Sequence, residues 1–256
     1  MNHFDACPKC AHEPLPEDQR LPAACPGCGV ILAKLGSMDE PPRAEVEEYA
    51  DIPADGFVQR FRDAIGHVPE RVDRTVYWCR CVILVLFALW GVRLIALDYR
   101  TGEMMGSFLH GPLLVFHEAG HVIFSVLGEF IMVLGGSLAQ LVMPAILATA
   151  LLIRNRDPFG AAIGLWFCGV SLLDLAPYVY DSLHPQLILL GGHTGEEGGH
   201  DWIYLLSETG LLQHARGIGA LTHFCGAVVV VIAIGWAGWI LYRQRTRLVA
   251  DAVRFD

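Results

Sequence analysis

Between Val76 and Tyr242 the chain carries five apolar runs, at approximately 77–97, 108–128, 131–153, 160–178 and 220–242. A helix needs about 20 such residues to cross a bilayer, because the hydrocarbon core is roughly 30 Å thick and each residue rises about 1.5 Å. Runs of this length, so closely spaced, leave few folds open. The fold they predict is mainly α, a polytopic transmembrane helical bundle. Composition agrees: 54% of the 256 residues are hydrophobic, and mean hydropathy is +0.43. The excess is uneven, since residues 1–75 are polar and rich in Pro, Glu, Asp and Arg. The formal net charge of -9 argues against a nucleic-acid surface.

Positive charge sets the expected orientation. Arg71, Arg74 and Arg80 flank the first run and Arg243, Arg245 and Arg247 follow the last. Basic flanks mark the cytoplasmic side, so both ends are expected there. Five simple crossings cannot satisfy both. Either one run is re-entrant, or residues 202–212 enter the membrane as an extra half-helix. The N-terminus shows no secretory signal pattern, and the head is expected in the cytoplasm, with the body in a bacterial inner (cytoplasmic) membrane.

The polar head holds Cys7-Pro-Lys-Cys10 and Cys25-Pro-Gly-Cys28, with fourteen residues between the pairs. Two Cys-x-x-Cys knuckles supply the four thiolates of a closed tetrahedral site, which suits a structural Zn2+. Disulfides are the competing reading, and reducing cytosol disfavours them. Gly29 and the apolar Val30-Ile31-Leu32-Ala33 predict a short strand, completing a zinc ribbon over residues 1–35. The ribbon's partner is not indicated. Residues 36–75 form an acidic linker and an amphipathic juxtamembrane helix, in which Phe57, Phe61 and Ile65 recur at helical spacing. Residues 76–242 are the membrane domain, and 243–256 read as a basic tail. Cys79, Cys81, Cys168 and Cys225 lie in or beside apolar runs and are expected to pack as small hydrophobes.

The chemistry lies in the second run, where His117-Glu118-Ala119-Gly120-His121 matches HExxH. On a helix the two His stand one above the other and can share one metal, with Glu118 beside them as general base. Ionisable groups in an apolar segment are costly without partners, which favours a functional site over chance. Zinc needs a third ligand. Asp174, Asp181, His184, His193, His200 and Asp201 are the downstream candidates.

These residues resemble the site-2 protease family of intramembrane zinc metalloproteases. Phe116 to His121 matches its strongest signature, over a resemblance covering about residues 105–215. The segment Val133 to Pro144 is similar to the family's Gly-Pro-x-x-Asn element, with Gly136-Ser137 and Gln140 at the matching places. The stretch from Gly128 to Val133 would be the short extended segment that often follows the HExxH helix. Asp174-Leu175-Ala176-Pro177 is similar to its Asn-x-x-Pro. The family's Leu-Asp-Gly, which supplies the third ligand, does not occur in this chain. Asp181 lies near its expected place. Asp201 precedes an apolar stretch ending in Thr209-Gly210, as in divergent members, and is favoured.

The resemblance implies an intramembrane zinc metalloendopeptidase cleaving transmembrane protein substrates. Its catalytic Zn2+ would be held by His117, His121 and Asp201, with Glu118 as base and Gln140 and Asp174 positioning substrate. The alternative is a non-catalytic zinc-binding membrane protein, a scaffold or metal sensor.

Overall fold

The structure is a computed structural model and describes residues 3–35, 54–69 and 72–255. The chain divides into two compact units, Met1–Val58 and Gln59–Asp256. The expected linker over 36–53 lies outside the described residues.

In the first unit the two knuckles repeat one device. The Ala11 N–H returns to the Cys7 carbonyl and the Gly29 N–H to the Cys25 carbonyl, each at 2.8 Å. The residue after each knuckle is left-handed, with φ of 57° at Ala11 and 69° at Gly29. The four sulfurs are brought together: Cys7 and Cys28 are 3.8 Å apart, and Cys10 and Cys25 are 3.7 Å apart. The buried core here is Cys7, Cys25 and Leu32, with Leu15, Val30 and Leu35 packed on them. The strand expected over Val30–Ala33 is corrected to one antiparallel bridge between Ala24 and Ile31. Helix α1, Leu32–Leu35, follows at once and turns Leu32 into this small core. Among the described residues there is no named strand.

Helix α2, Ala54–Ile65, forms where the amphipathic helix is expected. The second unit follows with α3 (Arg74–Ile95), α4 (His110–Phe124), α5 (Glu129–Ile153), α6 (Pro158–Asp181), α7 (Asp201–Glu208) and α8 (Ala215–Phe255). Among the described residues four helical stretches are long and apolar enough to cross a membrane: Arg74–Ile95, Glu129–Ile153, Pro158–Asp181 and Leu212–Leu248. The fifth expected run, 108–128, is corrected. Helix α4 has 15 residues, so it spans only about 22 Å. It ends in a 3-10 turn at Ser125–Leu127 and a break at Gly128, whose φ is 92°. The extended stretch expected after it is corrected too. Gly128 makes the bend alone, and α5 begins at Glu129 with the Met132 N–H on the Gly128 carbonyl.

Helix α6 is the pillar of the unit. Two-thirds of its apolar stretch (67%) is buried inside the protein, against 11% for α3. Small residues let α8 lie close to it. A Cβ on Gly226 would come within 2.9 Å of the Gly169 carbonyl, and one on Gly219 within 2.9 Å of the Ala176 carbonyl. Apolar lipid provides no drive to pull helices together, so such close backbone approach is a main source of cohesion. Trp166, Val170 and Leu173 of α6 then meet Val230 and Ala233 of α8 in the main core, with Leu94, Met104 and Leu113.

Pro144 lies inside α5 and has no N–H to give the carbonyl four residues back. That carbonyl belongs to Gln140, and the Ser171 hydroxyl of α6 donates to it at 3.0 Å. The segment expected as a basic tail continues α8 helically to Phe255. Arg243 donates to the Gly66 carbonyl, and Arg247 to those of Val68 and Pro69 at 2.6 and 2.8 Å. The start of α3 and the far end of α8 thus lie at the same end of this unit.

Candidate metal centres

The sulfur positions fit a metal. A tetrahedron with metal–sulfur bonds of about 2.3 Å has sulfur–sulfur edges of about 3.8 Å, and the two cross-knuckle pairs stand at 3.7 and 3.8 Å. A disulfide would need about 2 Å, and all four cysteines are free. Their thiols do not ionise alike. Burial works to raise the Cys7 thiol, but the Lys9 and Cys10 N–H groups and the Cys25 and Cys10 thiols outweigh it and hold Cys7 at about 7. The His12 N–H lowers the Cys10 thiol, yet its Cys28, Cys7 and Cys25 neighbours push it up to about 12. Four thiolates at this spacing repel one another, and a dication relieves the repulsion.

The second centre forms where α4, α5, α6 and α7 converge. His117 and His121 project from one face of α4, their rings 5.0 Å apart. Each ring is oriented through its far nitrogen. His117 Nδ1 bonds Gln140 Oε1 at 3.2 Å, and His121 Nδ1 donates to the Met132 carbonyl at 2.9 Å. Both Nε2 atoms are therefore turned to a common point, as metal-ligating imidazoles require. Asp201, the first residue of α7, sends Oδ2 to that point, 2.8 Å from His117 Nε2 and 3.2 Å from His121 Nε2. Tetrahedral zinc with bonds of about 2.05 Å sets its N and O ligands about 3.3 Å apart, so modest adjustment would seat an ion.

A cradle completes the fit. A Cβ on Gly136 would lie 2.6 Å from both imidazole Nε2 atoms. The missing side chain on α5 is what leaves that side open. Gly120 and Gly135 bring α4 and α5 together just beyond, where a Cβ on Gly120 would strike the Gly135 carbonyl.

Asp181 and His200 lie elsewhere. Asp181 accepts the N–H groups of Gln186 and Leu187 and sits 3.6 Å from His200 Nε2. His200 caps α7, accepting the Ile203 N–H. Its ring stacks on Tyr178. His193 lines the cavity without joining the ligand group, and His184 is in neither set.

Gln140 and Asp174, expected to position substrate, are engaged within the protein. Gln140 Nε2 donates to Asp174 Oδ2 at 2.7 Å, and Asp174 Oδ1 bonds His110 Nδ1 at 2.9 Å. A hydrogen-bonded chain therefore runs from the half-buried His110 through the buried Asp174 and Gln140 to His117. His110 was not singled out from sequence. It lies seven residues before His117 on α4, two turns back on the same face, and that spacing was the available signal.

A cavity of about 400 Å³ opens beside the three ligand atoms. Glu118, Asp174, Tyr178 and His110 line it, as do Ile188, Leu189 and Leu190 from the loop between α6 and α7. Glu118 is exposed, lines this space and follows His117 directly on α4. No protein-family profile, curated protein or solved structure matches the chain.

Proposed function

We propose that this protein is an intramembrane zinc metalloendopeptidase acting on membrane-spanning segments of other proteins. The observation that carries the reading is the convergence of His117 Nε2, His121 Nε2 and Asp201 Oδ2 beside Glu118, in a cavity among membrane-type helices. Two imidazoles and a carboxylate suit a catalytic zinc, since they leave a coordination position open. Zinc held there supplies Lewis acidity toward a carbonyl and lowers the pKa of water.

The remaining work falls to the chain. Glu118 accepts a proton from water as its oxygen bonds to the scissile carbonyl carbon. When the carbon–nitrogen bond breaks, Glu118 returns that proton to the departing nitrogen, leaving a carboxylic acid and an amine. The Gln140–Asp174–His110 chain holds the His117 tautomer. A substrate helix must unwind locally to present its carbonyl, because helical carbonyls are already hydrogen-bonded. The four crossing-length helices support placing the start of α3 and the end of α8 on one side of the membrane. We assign that side to the cytoplasm from their arginine flanks, and the four-cysteine unit with it. The four-cysteine site would hold a structural zinc.

Glu118→Gln tests the reading. With Glu118 as base and not ligand, the variant keeps its membrane zinc and loses cleavage of a reporter transmembrane segment by a factor of roughly 100 or more. Loss of zinc together with activity would make Glu118 a ligand. Equal cleavage by the variant would remove the peptidase assignment and leave a metal-binding scaffold or sensor.

A further inference from the structure

Tyr178 follows Pro177 in α6 and lines the cavity beside the three ligand atoms. Its phenol oxygen accepts the Asp201 N–H at 3.0 Å. Its ring is clamped, stacked on His200 at 4.2 Å between centroids and edge-on to His117 at 6.0 Å. A phenol has one hydrogen to donate, and among the described residues no acceptor takes it. Stacking on His200 and the edge contact with His117 leave the ring little freedom to carry its oxygen to another partner.

We infer that Tyr178 is a further catalytic residue, donating its O–H to the scissile carbonyl oxygen as negative charge develops there. The inference rests on the peptidase reading of the site. As water bonds to the carbonyl carbon and Glu118 takes its proton, the carbonyl π pair moves onto oxygen. A donor already in place stabilises that charge without reorganising, and it does so most where water is excluded. The phenol keeps its own proton throughout: it hydrogen-bonds the oxyanion and releases it when the carbon–nitrogen bond breaks. The other cavity donors fit the role less well. His110 stands about 10 Å along α4 from His117 and already spends Nδ1 on Asp174. His193 Nδ1 bonds the Thr194 carbonyl.

The test separates this role from mere bracing of Asp201. Two probes are used on the full-length, zinc-loaded protein in detergent. One is an apolar phosphinic peptide, whose tetrahedral anion carries the charge of the oxyanion. The other is the same peptide with its amide intact, bound to Glu118→Gln so that it is not turned over. Tyr178→Phe is expected to weaken the phosphinic peptide about 100-fold and the amide peptide, on the Glu118→Gln background, by less than about threefold. Zinc content should be unchanged. Equal weakening of both probes, or of neither, would overturn the inference. So would loss of zinc in Tyr178→Phe, which would make Tyr178 a support for Asp201. If the wild type binds no phosphinic peptide, the peptidase reading fails and this inference with it. Tight wild-type binding that Tyr178→Phe leaves unaltered sinks the inference alone.

Discussion

Gly136 shows how much one absent side chain can decide. It lies on α5, opposite two imidazoles whose far nitrogens are already held by Gln140 and the Met132 carbonyl. A methyl group there would stand 2.6 Å from both Nε2 atoms, and neither ring is free to retreat. Gly136→Ala should therefore weaken the membrane zinc by about 10–100-fold, the scale of disturbing groups that orient ligands, while the thermal unfolding of the helices changes little. Competition against a fluorescent chelator measures it, and unchanged affinity would mean the ligand point lies elsewhere. At this scale the sequence was informative where chemistry is local. The i, i+4 spacing of His117 and His121 and the two Cys-x-x-Cys pairs are short-range signals. Asp201 is favoured over Asp181 only through the Thr209-Gly210 resemblance, since periodicity and spacing do not reveal where a loop of some twenty residues delivers α7. The His110–Asp174–Gln140 chain was not legible either: its links join residues 64 and 34 positions apart.

Among the elements, α4 departs most from what its sequence suggests. Its composition is as apolar as a spanning helix, yet Gly128 at positive φ and the 3-10 turn before it stop the helix after 15 residues. Apolar content reports solvent preference, not where the backbone bends, so length was misread while class was not. The knuckle pair is the opposite case, since spacing alone specified it, and only its strand was overestimated. Its paired thiols give a pH signature. Cys7 is held at about 7, below the ordinary thiol value of 9.0, and Cys10 is pushed up to about 12. Zinc binding needs thiolates and releases whatever protons they hold. A lowered group is already ionised above its own pKa, so its proton is released on binding only below about 7. Cys10 keeps its proton across neutral pH and contributes equally on both sides. In His117→Ala, which isolates the four-cysteine site, about one proton fewer should be released per zinc at pH 8 than at pH 6. An indicator-dye titration reads the difference, and equal counts would show that Cys7 is not depressed.

For the molecule as a whole, the reading joins a four-cysteine unit to a helical body that has, among the described residues, four crossing-length helices and a short helix that carries HExxH. Four crossings would return the chain to its starting side, which agrees with arginines at the start of α3 and the end of α8 bonding within one end of the body. Cleavable tags on the two termini should therefore be cut together or spared together in sealed vesicles. One cut and one spared would require an odd number of crossings and bring α4 back as a span. The central claim is that His117, His121 and Asp201 share one metal, and counting zinc tests it most directly. The full chain should carry two zinc ions, one for each ligand cluster. Cys7→Ser and Asp201→Ala should each carry one, and the double variant none. Two zinc ions retained in Asp201→Ala, or only one in the wild type and none after Cys7→Ser, would contradict the account.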